Sequence, residues 1–493
     1  MESRYIVAVE IGSSKIKGIV AAVDEAAGIT VIAVEETDSA DSVRHGRVQN
    51  AREVGIRVNE IIRRLENNPR LANGTIRSVY VSNGGRSVVS RPAQADISLG
   101  GDVEITAMTL EKLHKEARYN LATDRDVLAI SDRRFTVDGT EVKKIVGTFG
   151  SSVRGEFTIV TVSPENRRNL ERVRIESRGT DIPRQYIPRP VALADMLLSD
   201  SERQLGSVLI DFGAETTTLA VYRDNALQLM ATLPMGGVNI TRDLSTGLGV
   251  TVEVAENIKM TKGRAVAERL KNMTADDESA EIVNYVSARA GEIIANVVNY
   301  LEHADIKIGD LPGGIVITGG GSQLAGLDEM LATQTKAKVR HAAIDATIGG
   351  APYNTVKNAD VIAMVRYAAA QSADTCLVFA DTATDTAETE RGAAAQGATG
   401  RPTVRTTERP AQTYTPAQSG TRRAPALDDP GLLHDDPDDI LVDPVIDDDE
   451  LPTPEKGESA NVTRKRLLER LKTFFTKPTE DDDLDSTGEN DLD

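Results

Sequence analysis

Apolar residues divide the chain into a patterned body and an unpatterned tail. Short apolar runs predict strands at Tyr5 to Glu10, Ile16 to Val23, Val31 to Glu35 and Val79 to Ser82. Between them Val54, Val58, Ile61, Ile62 and Leu65 recur at helical spacing and predict a helix over Ala51 to Leu65. From Gly84 to about Val162 the pattern is that of a small α+β unit. Its one helix, near Leu110 to Leu121, is flanked by strand-like runs at Arg86 to Leu99, Val127 to Val137 and Glu156 to Val162. A helix is expected next over Pro164 to Gly179. A long one follows over Ala280 to His303, with Ile282, Val286, Ile293, Val297 and Leu301 on one face. The buried-type strand Gly314 to Thr318 leads into Gln323 to Leu331, where Leu324, Leu327 and Leu331 again have helical spacing. After about Gln371 the periodicity ends.

Two stretches of the body repeat one pattern. Val9-Glu10-Ile11-Gly12-Ser13-Ser14-Lys15 precedes the run Ile16 to Val23, and Ile210-Asp211-Phe212-Gly213-Ala214-Glu215-Thr216 precedes Leu219 to Tyr222. Each has an apolar strand, an acid at its end, a glycine two positions later, small or hydroxyl residues, and a second strand. Glycine suits so tight a turn, and exposed amides in such a turn can cradle phosphate oxygens. The carboxylate can hold a hydrated magnesium ion, which favours oxygen ligands. Any single hairpin can carry an acid and a glycine. Two copies in one register, joined by Gly319-Gly320-Gly321 after a buried-type strand, point to a nucleotide clamped from both sides.

In this order and spacing the three motifs resemble the actin-like ATPase superfamily over about the first 373 residues. The resemblance implies an α/β, two-lobed actin-like fold with duplicated RNase H-like cores. Within the superfamily the chain is similar to the FtsA family of bacterial division proteins. That implies subdomain 1A at residues 1–83, 163–200 and 345–373, and an inserted subdomain 1C at 84–162. Subdomain 2A takes 201–245 and 310–344, and subdomain 2B takes 246–309.

The resemblance also assigns roles. Glu10 and Asp211 lie near Mg2+. Gly12, Ser13, Ser14 and Lys15 flank the phosphates of ATP from one side, Gly213 and Thr216 from the other. Gly237 opens a helix towards the site. Glu256 and Lys259, three apart on one helical face, contact the nucleoside together with Gly319, Gly320 and Gly321; a plain surface ion pair is the competing reading. Arg289 in 2B is a candidate grip for the acidic C-terminal peptide of the ring protein FtsZ, although a solvated helix arginine is commoner.

Two positions depart from the pattern. Many superfamily members carry glutamate before the proline that corresponds to Pro190, whereas this chain has Arg189. Arginine stays protonated and cannot polarise water as a carboxylate does; Asp195 and Gln185 are the nearby candidates for that task. Glu10 stands where aspartate is usual, which keeps the charge and extends its reach. The expectation is ATP binding with slow or absent turnover.

Charge adds a boundary. Residues 374–493 hold 28 acidic and 13 basic residues, a balance of −15 against −19 for the whole chain. The body is therefore nearly neutral and offers no basic face for nucleic acid. Residues 374–460 are rich in Ala, Thr, Gly, Pro and Asp and are expected to be a disordered acidic linker. Residues 461–478 are expected to form an amphipathic helix. Leu467, Leu468, Leu471, Phe474 and Phe475 share one face, ringed by Arg464, Lys465, Arg466, Arg470 and Lys472. At an anionic bilayer such a face buries, and each basic residue gains about 1 kcal/mol near the headgroups. An acidic tail, 479–493, follows. Cys376 is the single cysteine, which excludes a disulfide framework. No apolar run approaches the roughly 20 residues of a membrane-spanning helix, and the N-terminus enters a strand pattern without a secretory signal.

The tethered basic helix favours the FtsA family over a chaperone or a sugar kinase. The resemblance implies a filament-forming protein at the cytoplasmic face of the inner membrane, at the division septum. Its partners would be FtsZ, copies of itself, anionic lipids and later division proteins. Two alternatives stay open at this point: a pilus or secretion adaptor of the same fold, and a sugar- or acetate-kinase-type enzyme.

Overall fold

The computed structural model describes residues 4–24, 28–71, 74–267, 278–372 and 374–379. The amphipathic segment and the acidic tail lie outside the described residues, as does the linker from 380 onwards.

The first lobe opens with β1 (Arg4–Ile11), β2 (Lys15–Asp24) and β3 (Gly28–Asp38), three antiparallel strands, and is covered by α1 (Ala51–Glu66). Asn50 starts that helix by accepting from the Glu53 amide. All five apolar residues anticipated on its inner face are buried. β4 (Val79–Asn83) then joins β1 in parallel.

The chain next leaves the lobe for an insert built of β5 (Val89–Glu104), α2 (Ala107–Asn120), β6 (Asp126–Val137) and β7 (Phe149–Val162). The insert has its own core, centred on Leu113, Phe135, Phe157 and Ile159. Phe135 meets Phe157 edge-on with ring centroids 5.9 Å apart.

The expected helix over Pro164 to Gly179 is shorter. α3 spans Pro164–Glu171, and the following residues form a small hairpin in which Glu176–Ser177 pairs with Thr180–Asp181. Arg178 and Gly179 turn it at φ 48° and 77°. Val173, Ile175 and Ser177 are buried at alternate positions, which is the period of a strand. β8 (Arg184–Pro188) completes the first sheet in the order β3-β2-β1-β4-β8, and α4 (Arg189–Leu197) follows at once.

The second lobe repeats this plan. β9 (Ser207–Phe212), β10 (Thr217–Arg223) and β11 (Ala226–Leu233) are antiparallel, and α5 (Gly237–Leu248), α6 (Val252–Lys262) and α7 (Glu278–His303) follow. β12 (Gly314–Thr318) pairs in parallel with β9, α8 spans Leu327–Thr335, and β13 (Val339–His341) pairs in parallel with β12. The order β11-β10-β9-β12-β13 matches the first sheet strand for strand. Leu324 stays outside α8 because Gly326 takes a left-handed conformation, φ 76°, just before the helix. α9 (Ala359–Gln371) returns to the first lobe, burying Val361, Ile362 and Val365 in the common core.

One feature adds to the expected layout and one corrects it. The second-lobe sheet continues into the insert, where Val89 of β5 lies opposite Ala231 of β11. Ser90 Oγ accepts from the Met230 amide at 2.7 Å, and Ser131 Oγ accepts from the Leu227 amide at 3.0 Å. The ordered body also runs past residue 374, where a disordered linker was expected to begin. Leu377–Phe379 pairs with Gly74–Ile76, and Cys376 and Leu377 are buried. The apolar side chains of Cys376 and Leu377 supply the burial that holds these residues on the body.

Candidate functional site

The two repeats fold into the same turn. In the first, Gly12 N–H donates to Lys15 O at 3.0 Å; in the second, Gly213 N–H donates to Thr216 O at 2.8 Å. Glycine is needed at both for space. A Cβ on Gly12 would lie 2.9 Å from Lys15 O and 3.0 Å from a Glu10 carboxylate oxygen, and one on Gly213 would lie 2.8 Å from Thr216 O. The amides of Ser13, Ser14, Ala214 and Glu215 take no part in these turn bonds.

A hairpin between β3 and α1, formed by Val43–Arg44 and Arg47–Val48, connects the turns. At its tip the Gly46 amide donates to Ser13 Oγ at 2.8 Å, while the His45 amide donates to the Glu215 carboxylate at 2.7 Å. His45 Nδ1 also donates to Glu215 O at 3.0 Å. Adjacent residues of one hairpin thus reach both turns, which brings the two repeats together between the lobes. Lys15 points elsewhere, pairing with Glu36 at 2.7 Å.

The strand-end acids also meet between the lobes. Arg189, the first residue of α4, lies between them. Its Nη1 donates to Asp211 Oδ2 at 2.8 Å, and its Nε is 3.9 Å from Glu10 Oε1. All three side chains are at most 14% exposed. Lys17 Nζ donates to Asp360 Oδ2 at 3.0 Å beside them. Burial, then the nearby Asp360, push Glu10 up to about 7, although Arg189 and Lys17 oppose this. Burial works against the charged form of Arg189, but Asp211 and Glu10 outweigh it and raise its pKa further.

Gly319 packs directly on Asp211. Its φ is +86°, and a Cβ there would come within 2.4 Å of Asp211 Oδ1 and Phe212 O. Gly320 faces open space, while Gly321 lies against Phe212. Glu256 and Lys259 form an ion pair at 2.7 Å, and the ammonium also donates to Gly237 O at 3.0 Å and Thr241 Oγ1 at 2.8 Å. Thr241 in turn donates to Glu256. The pair is therefore braced against the first turn of α5, where Gly237 opens the helix.

A magnesium ion bound directly by both Glu10 and Asp211 does not fit this arrangement, because the guanidinium of Arg189 already takes Asp211 Oδ2 and lies 3.9 Å from Glu10 Oε1. Among the described residues no cluster of three or more acid, histidine or cysteine side chains is placed to hold a metal. Asp195 pairs with Arg203 at 3.4 Å, and Gln185 is exposed on β8.

Comparison with known proteins decides the family. The chain is 31% identical over 361 residues to the cell division protein FtsA of Porphyromonas gingivalis, covering 70% of this chain and 74% of that protein. The chain belongs to the FtsA family. The FtsA cell division family model matches residues 208–371, and a model for the SHS2 domain inserted in FtsA matches 85–161. FtsA of Streptococcus pneumoniae is 29% identical over 66% of this chain and 72% of its own length. Among solved structures, a PilM-PilN type IV pilus biogenesis complex superposes with a TM-score of 0.52 at 16% identity, covering 74% of this chain and 98% of that one. That likeness shows the actin-like fold alone.

In this FtsA-family chain Arg289 is held internally. It donates to both oxygens of Asp243 on α5 at 2.6 and 2.9 Å, and to Glu292 at 2.7 Å, tying α7 to α5. Sequence reasoning missed Lys17, His45, Gly46, Glu215 and Asp360. The signal for Lys17 is a lone cation inside the apolar run Ile16 to Val23, which needs a buried acid; nothing local marks Asp360 as that acid.

Proposed function

We propose that this FtsA-family chain binds an adenine nucleotide between its lobes, assembles with copies of itself, and ties the FtsZ ring to the cytoplasmic face of the membrane. The observation that carries the reading is the pair of duplicated turns brought together by the His45–Gly46 hairpin. Gly12, Ser13 and Ser14 flank the phosphates from the first lobe, and Gly213 and Thr216 from the second. Glu256 and Lys259, with Gly319 to Gly321, line the nucleoside end. ATP acts by closing the cleft, since a ligand shifts a conformational balance only by its differential affinity for the two forms. Turnover is slow or absent: at the position where a carboxylate would polarise water, Arg189 is fully committed as a cation.

The membrane contact rests on Leu467, Leu468, Leu471, Phe474 and Phe475, with the surrounding basic residues attracting anionic headgroups. The FtsZ peptide and later division proteins are partners by family membership. The experiment is co-sedimentation with acidic liposomes, with and without ATP, comparing the full chain with one ending at Ala460. The full chain should sediment and the shortened chain should stay in solution. Equal sedimentation of both would refute the anchor, and failure to bind ATP or ADP under any condition would refute the nucleotide site.

A further inference from the structure

The two strand-end carboxylates create an electrostatic problem for any phosphate ligand. Glu10 and Asp211 bring like charge to the place where phosphate oxygens would arrive, and Asp360 adds a third acid behind Glu10. A site of this kind needs a cation between acid and phosphate. This chain supplies one from its own side chains. Arg189 Nη1 lies 2.8 Å from Asp211 of the second lobe, and its Nε lies 3.9 Å from Glu10 of the first.

The guanidinium is also fixed from behind. It stands at the first position of α4, ahead of Pro190, so its backbone is set by the start of the helix. Gly84 lies beside it: a Cβ there would sit 3.6 Å from Pro190 and 3.8 Å from Arg189 Nε. The planar group carries five N–H donors, and Asp211 takes one of them. The remaining donors suit phosphate oxygens, which guanidinium groups bind in pairs.

We propose that Arg189 takes the place of the divalent ion, so that the cleft holds nucleotide phosphates through a guanidinium bridging Glu10 and Asp211 and binds without magnesium. The inference rests on the nucleotide-binding reading above and makes Arg189 the residue that sets the ionic requirement of the site. Binding of magnesium at the same oxygens would force the guanidinium out of its two ion pairs and leave it beside a second, doubly charged cation. The two modes therefore exclude each other.

The test is equilibrium binding of a fluorescent ADP to the full chain, once with excess EDTA and once with excess magnesium. The two dissociation constants should agree within about twofold, well inside the tenfold that marks a substantial energetic contribution. The R189Q variant, which keeps a polar side chain but removes the charge and the guanidinium fork, should bind at least about tenfold more weakly in EDTA and recover when magnesium is added. Wild-type binding that needs magnesium would overturn the inference and leave the nucleotide reading standing. Absence of binding in both conditions would overturn both. Should R189Q fail to fold by circular dichroism, R189K retains the charge without the fork, and the wild-type comparison alone still decides.

Discussion

The turn at Gly12 to Lys15 and the turn at Gly213 to Thr216 share a backbone and almost nothing else. Their closing hydrogen bonds are 3.0 and 2.8 Å, and the space beneath each glycine is equally tight. Their side chains diverge. Lys15 turns away to Glu36, whereas Glu215 leans back into the cleft and is held by the His45 amide and by Arg242 at 3.6 Å. What duplication kept is the arrangement of amides, which is the part that can grip phosphate. The side chains were free to become partners for other parts of the fold. The acids show the same division: both end the first strand of their lobe, yet one arginine now serves the two.

The largest perturbation of that symmetry is R189A. It leaves two buried carboxylates facing each other, and urea unfolding at neutral pH should show a loss of about 3–5 kcal/mol. Next come G12A and G213A, each of which pushes a Cβ into a carbonyl oxygen of its own turn. If the two turns are mechanically equivalent, both variants should lose about 1–3 kcal/mol, equal within about 0.5 kcal/mol. A large loss in one alone would break the equivalence.

The acids themselves are distinguished by pH. Glu10 ionises near pH 7 in the folded chain against 4.5 for the free group, so folding favours its protonated form. Stability should fall as the pH rises from about 4.5 to about 7 and level off above. E10Q should remove that slope and exceed the parent by on the order of 1–3 kcal/mol at pH 8, measured by urea titration. The insert gives the opposite limb. The Ser151 amide, with the hydroxyls of Ser151 and Ser152, holds Asp138 down to about 2. Its contribution is present above about 3.8 and disappears as the pH falls through 2. The smallest effect belongs to K15A. The Lys15–Glu36 pair is 45% and 32% exposed, so thermal unfolding should change by less than about 0.5 kcal/mol.

These contrasts explain what the sequence revealed. The strands, α1, the insert and the turns depend on local periodicity and glycine placement, and they were legible. The bridge at Arg189 was visible only as a departure from a family pattern. Its partners lie 22 and 179 positions away, and no local spacing links an arginine before a proline to both. Lys17 and Asp360 are separated by 343 positions and meet only because α9 returns to the first lobe. The hairpin at Val173 to Ile182 was hidden for another reason. Its apolar residues are few, and Pro164 with its Ser163 cap announces a helix without announcing where it ends.

The seam at Ser90 and Ser131 makes the insert a child of two parents. Its chain springs from the first lobe, yet its sheet is laced to the second through Val89, Met230 and Leu227. It is thereby fixed to both lobes at once, by covalent chain at Gly84 and Ser163 and by β11 at its inner edge.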